Sequence, residues 1–201
     1  SKHVGVFPEQ SPHWDWIREK AQKSGRKEMK LLNLFGYTGA ATLAAAAAGF
    51  AVTHVDASKP SVGWAKTNQE MSNLASAPVR WILDDAVKYV RREIRRNSRY
   101  DAIVMDPPSF GRGPDGEIWK AETSLPELLD MCRQVLTDNP IFIILTMYNL
   151  EASSIMLGNI VKDTMRPAGG NVSFGELALK EKSSDRSLPM SIYARWEKSS
   201  S

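Results

Sequence analysis

The 201 residues carry a net charge of +3, from 26 Lys and Arg against 23 Asp and Glu; hydrophobic residues make up 42 % and charged residues 24 %. That balance excludes disordered and fibrous classes, permits a polyanionic partner without demanding one, and leaves room for one ordinary core in a single domain. One cysteine excludes an internal disulfide and fits a reducing, cytoplasmic compartment; no apolar run reaches the roughly 20 residues of a membrane span, and the N-terminus lacks the order of a secretory signal.

Residues 1–28 read as a lead-in to a domain over 29–197. Short apolar, β-branched runs then alternate with segments of helical period, which predicts a parallel sheet with crossover helices. Met29 to Phe35 is the first strand and ends in Gly36-Tyr37-Thr38-Gly39; an alanine-rich helix runs from there to Ala48 and closes at Gly49. Ala51 to Val55 is the second strand, ending at Asp56, with Pro60 opening a helix to Leu74. Val79 to Leu83 precedes Asp84 and Asp85 and a helix to Asn97; Tyr100 to Met105 runs into Asp106-Pro107-Pro108-Ser109-Phe110. Gly111 to Gly116 reads as a loop, Leu125 to Leu136 as a helix, Ile141 to Thr146 as a strand and Glu151 to Met165 as a helix. Val172 to Leu179 and Ser191 to Trp196 have no helix between them and are expected to pair antiparallel. The expected architecture is α/β: a doubly wound, Rossmann-like sheet of seven strands, mostly parallel with a final antiparallel strand. Its ligand belongs in the crevice at the carboxyl ends of the strands.

The first turn offers Gly36 and Gly39 but not the three glycines of a dinucleotide fingerprint, and Tyr37 and Thr38 fill the places where that motif wants small residues. Asp56, 20 residues after Gly36, is placed to accept hydrogen bonds from two ribose hydroxyls. Together they suggest a nucleoside ligand with a tail rather than NAD or ATP. Of Asp84 and Asp85, one is expected to cap the next helix and the other to accept from an adenine amino group, the latter role falling to Asp85 beside Ala86. Pro107 and Pro108 fix two φ angles, so the Asp106 and Pro107 carbonyls are expected to stand stiff and unpaired, aimed at an amino group, while Phe110 stacks on its ring. His3, His13 and His54 share no short spacing with acids, and no metal site is expected.

In this order, Asn33 to Gly39, Asp56-Ala57-Ser58, Asp85-Ala86 and Asp106 to Phe110 resemble the class I S-adenosylmethionine-dependent methyltransferases, and more narrowly the branch that methylates bases of large-subunit ribosomal RNA. The resemblance runs from about Val4 to Trp196. It implies that Phe35, Gly36, Tyr37, Thr38 and Gly39 border the methionine part of S-adenosylmethionine. It further implies Asp56 at the ribose, Ser58 beside the ribose or the adenine, Ala57 also at the cofactor, Asp85 and Ala86 at the adenine, and Asp106, Pro107 and Pro108 beside the methyl group. Asn68 matches an asparagine of that branch. Where the branch has Leu-Asp-Gln-Arg this chain has Val6-Phe7-Pro8-Glu9-Gln10, and its members often carry a separate RNA-binding domain upstream.

Cytosine-C5 members of the branch use a cysteine after the fifth strand, where this chain reads Leu145-Thr146-Met147-Tyr148-Asn149. Cys132 lies in an apolar helical stripe with Leu125, Leu128, Leu129 and Leu136, which argues for a core thiol and against that chemistry. Direct transfer to a ring or exocyclic nitrogen of an RNA base remains, with DNA, protein or small-molecule acceptors, or a catalytically silent RNA-binding module, as alternatives. Lys88, Arg91, Arg92, Arg95, Arg96 and Arg99 form a basic stripe that is either a track for phosphates or a solvated face. Lys120 and Arg186, on the loops after Pro108 and before Pro189, are weaker substrate candidates.

Overall fold

The structure, a computed structural model, describes residues 5–112, 116, 118–148 and 152–199, the side chain of residue 112 excepted. Its spine is a seven-stranded sheet. Five strands run parallel: β1 (Met29–Leu34), β2 (Phe50–Asp56), β3 (Val79–Leu83), β4 (Ala102–Met105) and β7 (Phe142–Met147). Both β8 (Asn171–Lys180) and β9 (Ser187–Glu197) complete it, in the order β3-β2-β1-β4-β7-β9-β8, with β9 antiparallel to both neighbours. A separate two-stranded hairpin, β5 (Phe110–Arg112) and β6 (Ile118–Lys120), stands off the sheet.

The central strands are apolar almost without interruption because both of their faces are covered. Leu32, Leu34, Ile103, Met105, Ile143 and Leu145 pack with Tyr89 of α4 (Ala86–Arg95), Leu128 and Leu129 of α5 (Ala121–Gln134) and Leu157 of α6 (Ser154–Met165). The alternate residues Leu31, Val52, Ala102, Val104 and Ile144 meet Ile17 of α1 (Ser11–Ser24) and Ala45 and Ala46 of α2 (Ala40–Ala47). The period-two alternation therefore divides the core into two layers. Beyond β2, α3 (Lys59–Met71) packs against β3.

The fold class matches the sequence expectation, with differences that have local causes. The lead-in over 1–28 holds a 3₁₀ turn, Pro8–Gln10, and all of α1, opened by prolines at its first turns and ended by Gly25 in the left-handed region. Helix α5 begins at Ala121 rather than Leu125; Pro126 falls in its second turn, where it removes only one intrahelical donor. Of the expected loop over 111–116, residues 111 and 112 belong to strand β5 of the hairpin, and residues 113–115 lie outside the described residues. Val4, His3, Asn149 and Glu151, each invoked in the sequence reading, lie outside the described residues.

Candidate active site

The site stands at the sheet edge where the parallel strands end, and it is built from the residues just past four of them. After β1 the chain turns sharply: Phe35 and Tyr37 have φ of 57° and 48°, and Gly39 has φ of 88° as the residue before α2. Gly36 is required here, because a Cβ on it would lie 2.3 Å from Cε1 of buried His54. Its N–H donates to the Val55 carbonyl at 3.1 Å, which ties the turn to β2.

Asp56 completes that tie. One carboxylate oxygen accepts from the Tyr37 amide and the other from the Ser58 amide, each at 2.8 Å. A carboxylate has about four lone-pair sites, so two bonds leave each oxygen able to accept again. Burial pushes the Asp56 carboxyl up and the two amides pull it back, with burial dominant. Asn68, carried over as a cofactor residue, donates its amide to the Thr38 carbonyl at 3.0 Å and braces the turn from α3; it is not among the residues of the main cavity lining.

After β3 the two acids divide their roles differently from the expectation. Asp85, assigned to the adenine, is the N-cap of α4 and accepts from the Lys88 amide at 2.9 Å. Asp84 accepts from the Asp85 amide at 2.8 Å and pairs with Arg92. Both acids and Ala86 still line the cavity, so each role coexists with exposure to a ligand.

After β4 comes Asp106. Its Oδ2 accepts from Gln10 Nε2 at 2.8 Å, across 96 positions of chain, and its Oδ1 is sealed from solvent with no hydrogen-bond partner among the described residues. Burial pushes this carboxyl up to about 7; the Gln10 bond opposes the shift and the charge of Glu9 adds to it. Glu9 is itself only 5 % exposed. In this turn the Pro108 carbonyl accepts from Trp119 Nε1 at 2.6 Å and the Ser109 carbonyl accepts from the Ala121 amide at 3.0 Å. Pro107 is buried and stands outside the lining of the main cavity, whereas Pro108 contributes to it.

Phe110 does not occupy the expected place. Alternation along the hairpin turns Gly111 and Trp119 towards the cavity and leaves Phe110 facing away, 54 % exposed. The aromatic groups at the cavity are instead Phe7, Phe35, Tyr37, Trp119 and Tyr148. Phe7 lies 5.7 Å from Tyr37 and 6.1 Å from Tyr148 between ring centroids, and Phe35 lies 5.3 Å from Trp119. Lys120 is exposed at the start of α5, and Arg186 is bound to Glu181 at 2.9 Å in the β8–β9 turn; neither lines the cavity.

The result is a cavity of about 290 Å³ that holds Asp56, Ala57, Ser58, Asp84, Asp85, Ala86 and Asp106 together. It shares Phe7, Phe35, Tyr37 and Asp106 with a compartment of about 60 Å³ lined by Gly36, Thr38 and Gln10. The sequence reading missed Phe7, Trp119 and Tyr148 and left Gln10 without a role. No spacing rule marks them, since they arrive from the amino terminus, the hairpin and the end of β7.

Three other expectations can be placed. Cys132 is buried in the core, which raises its thiol well above the usual range. His13 and His54 are buried and pushed down to about 3 and about 4, mainly by desolvation. In the basic stripe, Arg91, Arg92 and Arg96 form ion pairs with Glu127, Asp84 and Glu93, which favours the solvated-face alternative over a phosphate track. Among the described residues no group of three His, Cys, Asp or Glu is placed to hold a metal, and no helix is long and apolar enough to cross a membrane.

No family model matches the chain. A ribosomal RNA large subunit methyltransferase K/L of Hahella chejuensis is 32 % identical over 141 residues, covering 69 % of this chain and 18 % of that protein. Its counterpart in Shewanella oneidensis is 35 % identical over 120 residues, 59 % of this chain and 16 % of that protein. The chain thus spans less than a fifth of the length of these relatives. Among solved structures, a SAM-dependent methyltransferase from Agrobacterium tumefaciens matches with a TM-score of 0.95 at 49 % identity, over 98 % of this chain and 64 % of that one. Magnesium protoporphyrin IX methyltransferase from Synechocystis, with bound SAM, matches with a TM-score of 0.64 at 14 % identity, over 95 % and 80 %, a likeness of fold alone. The resemblance carried by the four ordered motifs and the Rossmann-like fold thus agree with proteins of methyltransferase name.

Proposed function

We propose that this domain binds S-adenosylmethionine and transfers its methyl group to a nitrogen of an RNA base, in a cytoplasmic setting, with large-subunit ribosomal RNA as the substrate class. The observation that carries the reading is that one cavity is lined by both the Asp56-tied turn and Asp106. The residues fit the cofactor. Asp56 keeps free lone pairs for ribose hydroxyls, Ala57, Ser58, Asp85 and Ala86 surround the space for the base, and the turn from Phe35 to Gly39 borders the amino-acid tail. When bound, the cofactor supplies an electrophilic sulfonium methyl group.

The chain's own residues then have to aim and dry the acceptor. Asp106 in its ionised form accepts an N–H of the incoming amine, which directs the nitrogen lone pair away from the carboxylate and into the cavity. Tyr148 and Phe7 offer ring faces to a flat acceptor at that end. Core burial of Cys132, together with the absence of a cysteine from Leu145 to Tyr148, favours nitrogen over pyrimidine C5. The names of the relatives support ribosomal RNA as the substrate class.

Calorimetry with S-adenosylhomocysteine and, separately, NAD tests the cofactor; saturable binding of the first and none of the second is expected, and the reverse overturns the proposal. Asp106→Ala is expected to abolish methyl transfer while cofactor affinity stays within a few fold. Mass spectrometry of ribosomal RNA nucleosides from cells lacking the gene then identifies the acceptor as the one methyl mark that disappears.

A further inference from the structure

The segment before α1 lies across the carboxyl edge of the sheet rather than trailing away from it. Thr38 donates its hydroxyl to the Gly5 carbonyl, Phe7 packs on Tyr37 and Tyr148, and the 3₁₀ turn Pro8–Gln10 delivers two polar side chains to Asp106. Only one of them forms a hydrogen bond with that carboxylate. Gln10 donates to Oδ2, whereas Glu9 is a second buried carboxyl whose Oε2 is sealed without a hydrogen-bond partner among the described residues. Two buried acids brought together by one turn, with a single amide against one of them, amount to more than a strap needs for attachment.

We infer that Gln10 is a positioning residue: by donating its amide to Oδ2, it fixes the rotamer in which the carboxylate of Asp106 meets the substrate amine and favours its ionised form. The inference rests on the methyl-transfer reading for the identity of that amine, though not for the geometry. A lone amide donor against Oδ2 holds the carboxylate in one rotamer and leaves that oxygen a further lone pair with which to accept. The same bond stabilises the ionised form that must accept, while Glu9 opposes it and Tyr148, facing Asp106 from the end of β7, adds no positive charge. The turn thus sets both the rotamer of Asp106 and its readiness to lose a proton.

The test reads Asp106 directly, by carboxyl ¹³C NMR titration of the full chain labelled at aspartate, with the Asp106 resonance assigned from its loss in Asp106→Asn. Removing the donor in Gln10→Ala is expected to weaken proton release by about tenfold, moving the titration midpoint up by about one pH unit. Gln10→Lys, which puts a cation in the same place, is expected to move it down. A merely structural role moves neither midpoint, or moves both in one direction through loosened packing, and either result overturns the inference. Methyl transfer from labelled S-adenosylmethionine to in vitro transcribed large-subunit ribosomal RNA gives the second readout. The acid limb of the Gln10→Ala profile is expected to shift with the NMR midpoint; a shifted carboxyl with an unshifted limb refutes the positioning role. Opposite NMR shifts in a protein that neither binds S-adenosylhomocysteine nor transfers methyl uphold the Gln10–Asp106 coupling and sink the methyl-transfer reading alone.

Discussion

Replacing Asp106 by Asn removes a carboxyl that the fold holds at a cost, and the size of that cost is readable. The carboxyl titrates near 7 in the folded chain against 3.8 when free, because burial disfavours its charge. A group whose folded value is raised keeps its proton longer in the native state, so native stability falls as pH rises from about 4 to about 7. At 1.36 kcal/mol per pH unit the difference comes to about 4 kcal/mol, fully lost above pH 7. Asn carries no charge at any pH, and its carbonyl can keep the bond from Gln10. Its amide takes the place of Oδ1, where no described residue offers a partner, at a cost of about 1–3 kcal/mol, much as the protonated carboxyl does. Asp106→Asn should therefore exceed the wild type by about 2 kcal/mol at pH 5 and by about 4 kcal/mol at pH 8, while losing methyl transfer. Urea unfolding at pH 5, 6, 7 and 8 measures the difference directly. His13 and His54 titrate in both proteins and cancel. Parallel stability curves would mean that Asp106 is not strained by its burial, and the reasoning fails.

Gly36→Ala should cost roughly 1–3 kcal/mol in thermal unfolding, because the new methyl meets a His54 ring held between Thr42 at 2.9 Å and Trp81 at 4.7 Å; adding His54→Ala should recover part of that loss, and an additive double mutant would refute the contact. Cys132→Ser places a hydroxyl in the core and should cost about 1–3 kcal/mol, yet methyl transfer per folded molecule should be unchanged; loss of turnover in fully folded protein would make the thiol a participant. Asn68→Ala should lower stability by about 1 kcal/mol and weaken S-adenosylhomocysteine binding only a few fold, since it braces the turn rather than touching the ligand; a hundredfold loss of affinity would restore it to the contact set.

The sheet was legible because the central strands are mostly buried apolar runs, and β1, β2 and β4 are closed by a glycine or an acid. Asp56 was found by spacing alone, since the distance from a turn to the end of the next strand is fixed by one crossover helix. The hairpin was not, because three-residue strands such as Ile118–Lys120 are too short to show alternation beside a glycine-rich stretch of sequence. That omission misplaced Phe110: without the pleat there was no way to know that Trp119, not Phe110, faces inward. Asp85 illustrates another limit. An acid before a helix serves as cap and as ligand contact with the same spelling, and only the Lys88 bond separates the first use. Gln10 was beyond reach for a simpler reason, since its partner is 96 residues away and no local pattern joins them.

The charges around the cavity favour the nature of the ligand more strongly than any single motif. Asp56, Asp84, Asp85 and Asp106 all line it in a chain whose net charge is +3, so the acids are gathered at this edge against the overall balance. Arg92 neutralises Asp84, which leaves three carboxyls, with Glu9 buried beside the last. A pyrophosphate placed here meets repulsion from these groups, and the turn before α2 presents Tyr37 and Thr38 where phosphate-binding loops present small residues and free amides; the Tyr37 amide is already given to Asp56. A nucleoside whose tail bears a sulfonium and an ammonium meets attraction instead, and its hydroxyls find acceptors rather than competing donors. Ionic strength separates the two cases. Weakening of S-adenosylmethionine binding with added salt, by more than that of neutral 5′-methylthioadenosine, is expected from attraction to these acids, and equal salt dependence for both compounds would show that the carboxyls do not select for charge.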